Sequence, residues 1–336
     1  MSIFFSIIIP NFNSSKTIYE TVNSIVSQSY KNFELIIQDD FSTDNSLEII
    51  KKFNDPRIKI LKNSKNLGYG PNLELGRKNA SYEYIIICGN DDILRSDLLE
   101  SYSKIYINSN IGAIVRPFYE YIEKNKPVRF RSYNIEKTYD EIGLTDDHFK
   151  ISQIFYLAGN LSGVSFQNSL IEKGINKDIW PAHIYPLCEV LLKKKVAVHN
   201  IFCVAVKLDS NQSTKSFAFI ESPSIQWIRM FNLFFNNKNH IKLFNYLKRN
   251  FVAKNYIGLV QIKNFGSTNK FIFESLFYIK LNPRILLDLK FYFYFFSILI
   301  IPRFLLRKIV INVKKFNSKI IINDKKLLKK LLFDEK

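Results

Sequence analysis

The chain has 336 residues, 47% of them hydrophobic and 15% aromatic, room for roughly two domains with real cores. Its net charge of +18 is uneven: residues 1–220 carry +2 and residues 221–336 carry +16. The positive charges interleave with Phe, Leu and Ile runs, which favours an anionic membrane surface over nucleic acid. The longest uncharged apolar run there, Phe291–Pro302, has 12 residues, too few for the ~20 of a spanning helix.

In chain order, Ile3–Pro10 reads as a first strand ended by its proline. Met1–Pro10 has neither the basic start nor the cleavage site of a signal peptide. Asn11–Ser15 is a turn whose serines can cap a helix. Ile18, Val22, Ile25 and Val26 then mark one helical face to about Ser29. Phe33–Gln38 is a second strand, followed by the polar turn Asp39–Asp44. A helix through Leu47 and Ile50, a short strand Arg57–Leu61 and a loop Asn63–Gly70 come next, and Pro71 is expected to open the following helix. Tyr84–Cys88, with three consecutive isoleucines, reads as a strand buried on both faces. It stops at Gly89-Asn90 and runs into Asp91-Asp92. Asp97–Asn108 is helical and Ala113–Val115 begins another strand.

Strands alternating with helices predict a doubly wound, mostly parallel α/β sheet. Ligands of such sheets bind outside the carboxyl ends of the strands. Asn11, Asp39, Asp40 and Asp91 therefore share one edge. A carboxylate there can accept a base imide N–H, and a cation held by oxygen ligands can bridge a diphosphate. The pattern points to a nucleotide-diphosphate site, although Asp91-Asp92 could instead only cap the next helix. Neither GxGxxG nor GxxxxGK[ST] occurs, which argues against a dinucleotide site and a P-loop. Cys88, Cys188 and Cys203 lack metal or disulfide spacing and read as reduced thiols in a reducing compartment. Residues 118–150 read as polar and irregular, a surface segment or a flexible loop. Gly159–Phe166 reads as a glycine-containing turn before a strand.

From Ser224 the chain becomes helical, aromatic and basic. Helices are expected from Ser224, through His240–Ile257 and over Thr268–Lys280, with apolar runs beyond them. Arg303, Arg307, Lys308, Lys314 and Lys315 flank those runs. Two arrangements fit: helices lying in a membrane interface, or a helical subdomain with an apolar core. Lys325–Lys336 reads as a charged, frayed helix.

Taken together, Ser6–Asn13, Ser24–Tyr30, Phe33–Asp44, Asn66–Gly68 and Asn90–Ile93 resemble family 2 glycosyltransferases in both order and spacing. The resemblance is strong over residues 3–115, weak to about 215 and absent beyond. It implies the GT-A fold over residues 1–218, with 219–336 as a helical, basic, membrane-docking region. Pro10, Asn11 and Asn13 would line the nucleoside pocket, joined by Asp39 and Asn66. Asp40 matches the residue that hydrogen-bonds the base. Asp91 matches the last carboxylate of the DxD-type motif, the ligand of Mg²⁺ or Mn²⁺, and Asp92 would support the sugar or the metal shell. Gly89 stands where that motif begins, and Phe41 where glycine is common. The usual base pair falls on His183-Ile184, leaving His183 or Glu189 as general base, with Asp178 as a further candidate.

The resemblance implies an inverting enzyme that takes a nucleotide-diphosphate sugar to a lipid-linked saccharide in O-antigen or capsule synthesis. It would work peripherally on the cytoplasmic face of the inner membrane. The alternative is a non-catalytic nucleotide-sugar-binding or scaffold subunit of a polysaccharide assembly complex.

Overall fold

The structure, a computed structural model, describes residues 2–123, 126–133, 137–175, 180–208 and 216–323. Asp178 and the tail Lys325–Lys336 lie outside them. Two compact units result. The first takes the chain to Leu208, apart from Trp180 and Pro181, and resumes at Ile320. The second holds Trp180, Pro181 and residues 216–319.

In the first unit β1 (Phe5–Asn11), β2 (Phe33–Asp39), β3 (Ile58–Lys62) and β4 (Tyr84–Ile87) alternate with α1 (Ile18–Val26), α2 (Ser46–Lys51) and α3 (Tyr69–Lys78). The chain continues through β5 (Ile93–Leu94), α4 (Leu98–Tyr106), β6 (Ile111–Val115), β7 (Phe118–Glu123), β8 (Lys126–Arg131) and β9 (Tyr139–Ile142). Then come α5 (His148–Leu157), β10 (Ser165–Gln167), α6 (Tyr185–Leu191), β11 (Lys195–His199) and β12 (Val204–Lys207). The main sheet has the order β3-β2-β1-β4-β10-β6-β11-β9. Its first four strands are all parallel, as are β6 and β11, while β10 and β9 run antiparallel to their neighbours.

The isoleucine-rich strands form because both faces of this sheet are covered. Ile7, Ile9, Leu35, Ile37 and Ile86 pack against Ile18, Val22 and Ile25 of α1 in one core. On the other face α3 lies so close that a Cβ on Gly76 would come within 2.5 Å of Ile8 Cγ2. Glycine there sets the helix–sheet distance. Pro71 is the third residue of α3 rather than the first, still within the turn whose N–H groups lack intrahelical partners.

One expectation is overturned. Residues 118–131 are not an irregular polar segment: β7 and β8 pair antiparallel in a second sheet of order β5-β12-β7-β8. Phe118, Tyr119, Tyr121 and Val128 are buried. The segment carries strand-forming residues whose partner β12 arrives much later in the chain, with Ala205 beside Tyr119.

The second unit is helical: α7 (Pro223–Phe235), α8 (Ile241–Tyr246), α9 (Tyr256–Phe265), α10 (Thr268–Leu281), α11 (Leu289–Ile300) and α12 (Arg303–Asn323) up to residue 319. Side chains of Ser222, Asn255, Ser267 and Asp288 cap the helices that follow them. Two of the basic residues expected to flank a membrane surface instead close a helix end. Arg303 and Arg307 both donate to the Asn264 carbonyl near the end of α9. The buried Lys263 ammonium likewise donates to the Leu299 and Ile301 carbonyls, at 3.0 and 2.9 Å, at the end of α11. Cations at these carbonyl ends complement the helix dipole.

Candidate functional site

The register that pairs Asn11 with Asp39 brings the ends of β1 and β2 together. Asn11 is fully buried, and its amide donates to Asp39 Oδ1 at 2.8 Å and more weakly to Ser42 and Ser46. Its carbonyl accepts from Ser14 Oγ. Asp39 Oδ2 accepts from the Ser42 N–H at 3.0 Å. Asn11 and Asp39 therefore hold the turn through bonds to each other and to Ser42 and Ser46. Their polar groups are the buried glue between two loops. Asn13 is exposed, at φ +48°, and its carbonyl accepts from the Thr43 and Asp44 N–H groups. Pro10 is half-buried beside it.

Asp40 is buried at the foot of α3. Its Oδ1 accepts from Asn63 Nδ2 at 2.9 Å and the Leu67 N–H at 2.7 Å, and its Oδ2 from the Gly68 N–H at 2.8 Å. A carboxylate at a helix N-terminus is favourably placed. With about four acceptor positions, it keeps one beyond these three. Asn66, exposed, donates to the Asp40 carbonyl at 3.3 Å.

Beyond β4 the turn Gly89–Asp92 is tied to the β1 turn, since Thr17 Oγ1 donates to the Asn90 carbonyl at 2.9 Å. The edge predicted from sequence therefore exists. Asp91 is half-buried there. Asp92 is buried; Ser162 Oγ donates to its Oδ2, and the Lys207 N–H donates to its Oδ1 at 2.9 Å. Burial first, and then the Asp91 charge, push the Asp92 carboxyl up to about 8. Ser162, which sequence reading did not single out, also accepts the Gly89 N–H at 2.8 Å. Behind it the fully buried Arg116 donates to the Leu157 and Asn160 carbonyls and draws the Asp92 carboxyl back down. The loop Gly159–Phe166 is thus part of the carboxylate cluster. The only hint in the sequence was Gly163, held at φ +77° against Arg116.

A cation fits this cluster in a particular way. A Cβ on Gly89 would lie 3.0 Å from Asp91 Oδ1, 3.1 Å from Asp92 Oδ2 and 3.2 Å from Ser162 Oγ, so three oxygens ring the space that glycine leaves. Among the described residues no three His, Cys, Asp or Glu side chains form a closed cage. The set suits a hard cation that keeps waters and takes phosphate oxygens from its substrate.

Both candidate bases are engaged by protein groups. His183 is buried, with Nε2 2.8 Å from the Ala158 carbonyl and Nδ1 3.1 Å from the Tyr69 hydroxyl. A carbonyl only accepts, so Nε2 carries the proton and Nδ1 accepts from Tyr69. Burial pushes the His183 pKa down to about 4. Glu189 is also buried, its carboxylate capping the Glu172 and Lys173 N–H groups at 2.8 and 3.0 Å. Both ring nitrogens of His183 are thus bonded to protein groups, and Glu189 holds the turn at Glu172 and Lys173. We expect Glu189→Gln to lower stability by about 1.5–3 kcal/mol, the worth of a charge-assisted hydrogen bond. Activity per folded molecule and its pH profile should stay unchanged. Thermal unfolding beside a pH–rate profile checks this, and a displaced alkaline or acid limb would return Glu189 to the chemistry.

The profile described as Glycosyl transferase family 2 matches residues 6–180. Glycosyltransferase GlyG of Streptococcus pneumoniae is 32% identical over 127 residues, 37% of this chain and 42% of that protein. WfgD of Escherichia coli, a UDP-Glc:alpha-D-GlcNAc-diphosphoundecaprenol beta-1,3-glucosyltransferase, is 34% identical over 123 residues, 37% of this chain and 48% of that protein. The matched stretches span about half the length of these relatives. The crystal structure of S. aureus TarS 1–349 in complex with UDP-GlcNAc superposes with a TM-score of 0.60 at 17% identity, covering 83% of this chain and 79% of that one. At that identity the likeness shows the fold alone.

Proposed function

Because this chain belongs to glycosyl transferase family 2, we propose that it transfers a sugar, with inversion, from a nucleotide-diphosphate donor to a lipid-linked saccharide. The observation that carries this reading is the shared edge of β1, β2 and β4, where Asn13, Asp40 and Asp91 stand on turns bonded to one another. The acceptor hydroxyl attacks the anomeric carbon, the bond from that carbon to the diphosphate breaks, and the nucleoside diphosphate leaves. Mg²⁺ or Mn²⁺, held by Asp91 beside Asp92 and Ser162, would supply charge to offset the departing diphosphate. The Asp40 turn seats the nucleoside. The hydroxyl proton goes to a base other than His183 and Glu189; Asp178, the third candidate, lies outside the described residues.

The relative WfgD acts on a diphosphoundecaprenol-linked sugar, which supports a UDP-sugar donor and a polyprenyl-diphosphate saccharide acceptor here. The test is nucleotide release from UDP-, dTDP-, GDP- and CDP-sugars with Mg²⁺ or Mn²⁺ and a synthetic lipid-diphosphate saccharide. Release from one donor class is expected. Tight donor binding without release over the whole panel would favour the non-catalytic subunit, and absence of binding would overturn both readings.

We also place the protein peripherally on the cytoplasmic face of the inner membrane. No helix among the described residues is long and apolar enough to cross a membrane. Leu289, Phe293, Phe296 and Ile300, at helical spacing along α11, and Phe304 in the first turn of α12 are all at least half exposed, Leu289 at 84%. Exposed Lys290 and Lys308 accompany them. An apolar stripe among cations suits an anionic interface, where each cation adds about 1 kcal/mol. We expect Leu289→Ser/Phe293→Ser to lower co-sedimentation with phosphatidylglycerol vesicles at least about tenfold, from ~1.5–3 kcal/mol lost per side chain, with unchanged thermal stability. Equal sedimentation of both proteins would remove the docking proposal.

A further inference from the structure

Phe41 follows Asp40 at the end of β2 and is held at φ +64°. An aromatic residue in the left-handed region is a true outlier, kept only where its surroundings over-determine it. The surroundings do so here. On one side the Asp40 N–H donates to the Asn11 carbonyl at 2.8 Å. On the other the Ser42 N–H donates to Asp39 at 3.0 Å, and Ser42 Oγ accepts the Asn13 N–H at 3.0 Å. Glycine would adopt this conformation without strain.

The strain is not offset by burial. Phe41 is 44% exposed, and the Lys62 ammonium stands over its ring, 5.5 Å from the centroid. Lys62 ends β3, and Asn63 after it bonds both Gln38 and Asp40. A strained, solvent-facing aromatic ring with a cation on it therefore stands beside Asp40, on the carboxyl edge already described.

We propose that Phe41 is the stacking platform for the nucleobase of the donor, with Lys62 on one face of the ring and the base on the other. The proposal rests on the nucleotide-sugar reading and names a residue that positions that substrate. Stacking on an aromatic face tolerates any base. Phe41 therefore contributes affinity and orientation, and leaves the choice of base to hydrogen bonding at the Asp40 turn.

The experiment compares the wild-type full chain with Phe41→Gly, Phe41→Leu and Phe41→Trp. Titration calorimetry with UDP, dTDP, GDP and CDP in the presence of Mg²⁺ reads affinity, and thermal unfolding reads the fold. Phe41→Gly should melt no lower than wild type, because the backbone strain is relieved. Phe41→Gly and Phe41→Leu should both weaken binding of the preferred nucleotide about tenfold or more, and Phe41→Trp should retain it. Leucine keeps bulk and backbone strain but has no π face, so binding by Phe41→Leu equal to wild type overturns the proposal. Failure of the wild type to bind any of the four nucleotides would overturn the nucleotide-sugar reading as well.

Discussion

Asp91→Ala should lower nucleotide release by about two to three orders of magnitude, the usual effect of removing one preorganised charge-stabilising group from an active site. The effect is expected without loss of the fold. Asp91 is half-buried on a turn and stands beside the buried carboxyl of Asp92, whose ionisation it opposes. Removing one of two adjacent carboxylates relieves that repulsion. Gly89 leaves no carboxylate at the head of the motif, and Asp92, the other carboxylate of the cluster, is already bonded to Ser162 and the Lys207 N–H. Asp91→Asn, which keeps the shape and loses the charge, should fall nearly as far. Metal-dependent donor turnover beside thermal unfolding checks both variants, and release within threefold of wild type would end the assignment of Asp91 as the metal ligand.

Asp40→Ala should destabilise the first unit by about 3 kcal/mol or more, in the tail of large effects that includes breaking a buried hydrogen-bond network, and abolish nucleotide binding. The Leu67 and Gly68 N–H groups at the entry to α3 donate to this carboxylate, as does Asn63 Nδ2, which also donates to Asn72 Oδ1 at 2.8 Å. Each donor left buried without a partner costs about 1–3 kcal/mol. Gly68, at φ +86°, has its conformation fixed by these bonds as the chain turns into the helix. Asp40→Asn should be intermediate, because an amide presents one acceptor atom where the carboxylate presents two and the Gly68 and Leu67 bonds fall on different oxygens. Thermal unfolding and nucleotide titration of both variants separate the loop-holding role from contact with the base. Stability equal to wild type with binding lost would leave only the contact.

The edge of the sheet was legible because it rests on local pattern. The isoleucine runs of β1, β2 and β4, the turn residues after them and the 3.6-residue spacing of Ile18, Val22 and Ile25 each lie within a dozen residues. Hydrophobic periodicity reports such elements directly. The helices of the second unit followed from the same signal. The strands β7 and β8 did not. Their aromatic and charged residues read as surface because the strand that covers them, β12, comes from far along the chain.

What the sequence by itself determined was the kind of fold, the edge that carries Asp40 and Asp91, and the concentration of positive charge and aromatic surface after residue 220. What only the tertiary structure decided was which polar side chains remain available for chemistry. Asn11 is engaged by a residue 28 positions away, Asp92 by one 70 positions away and His183 by one 114 positions away. A buried polar group must find a partner, and sequence spacing does not say which one. That requirement makes Asn11 and Asp39 scaffold for the turn and engages His183 and Glu189 with protein partners. It also left Phe41 exposed on a backbone conformation that its own side chain opposes.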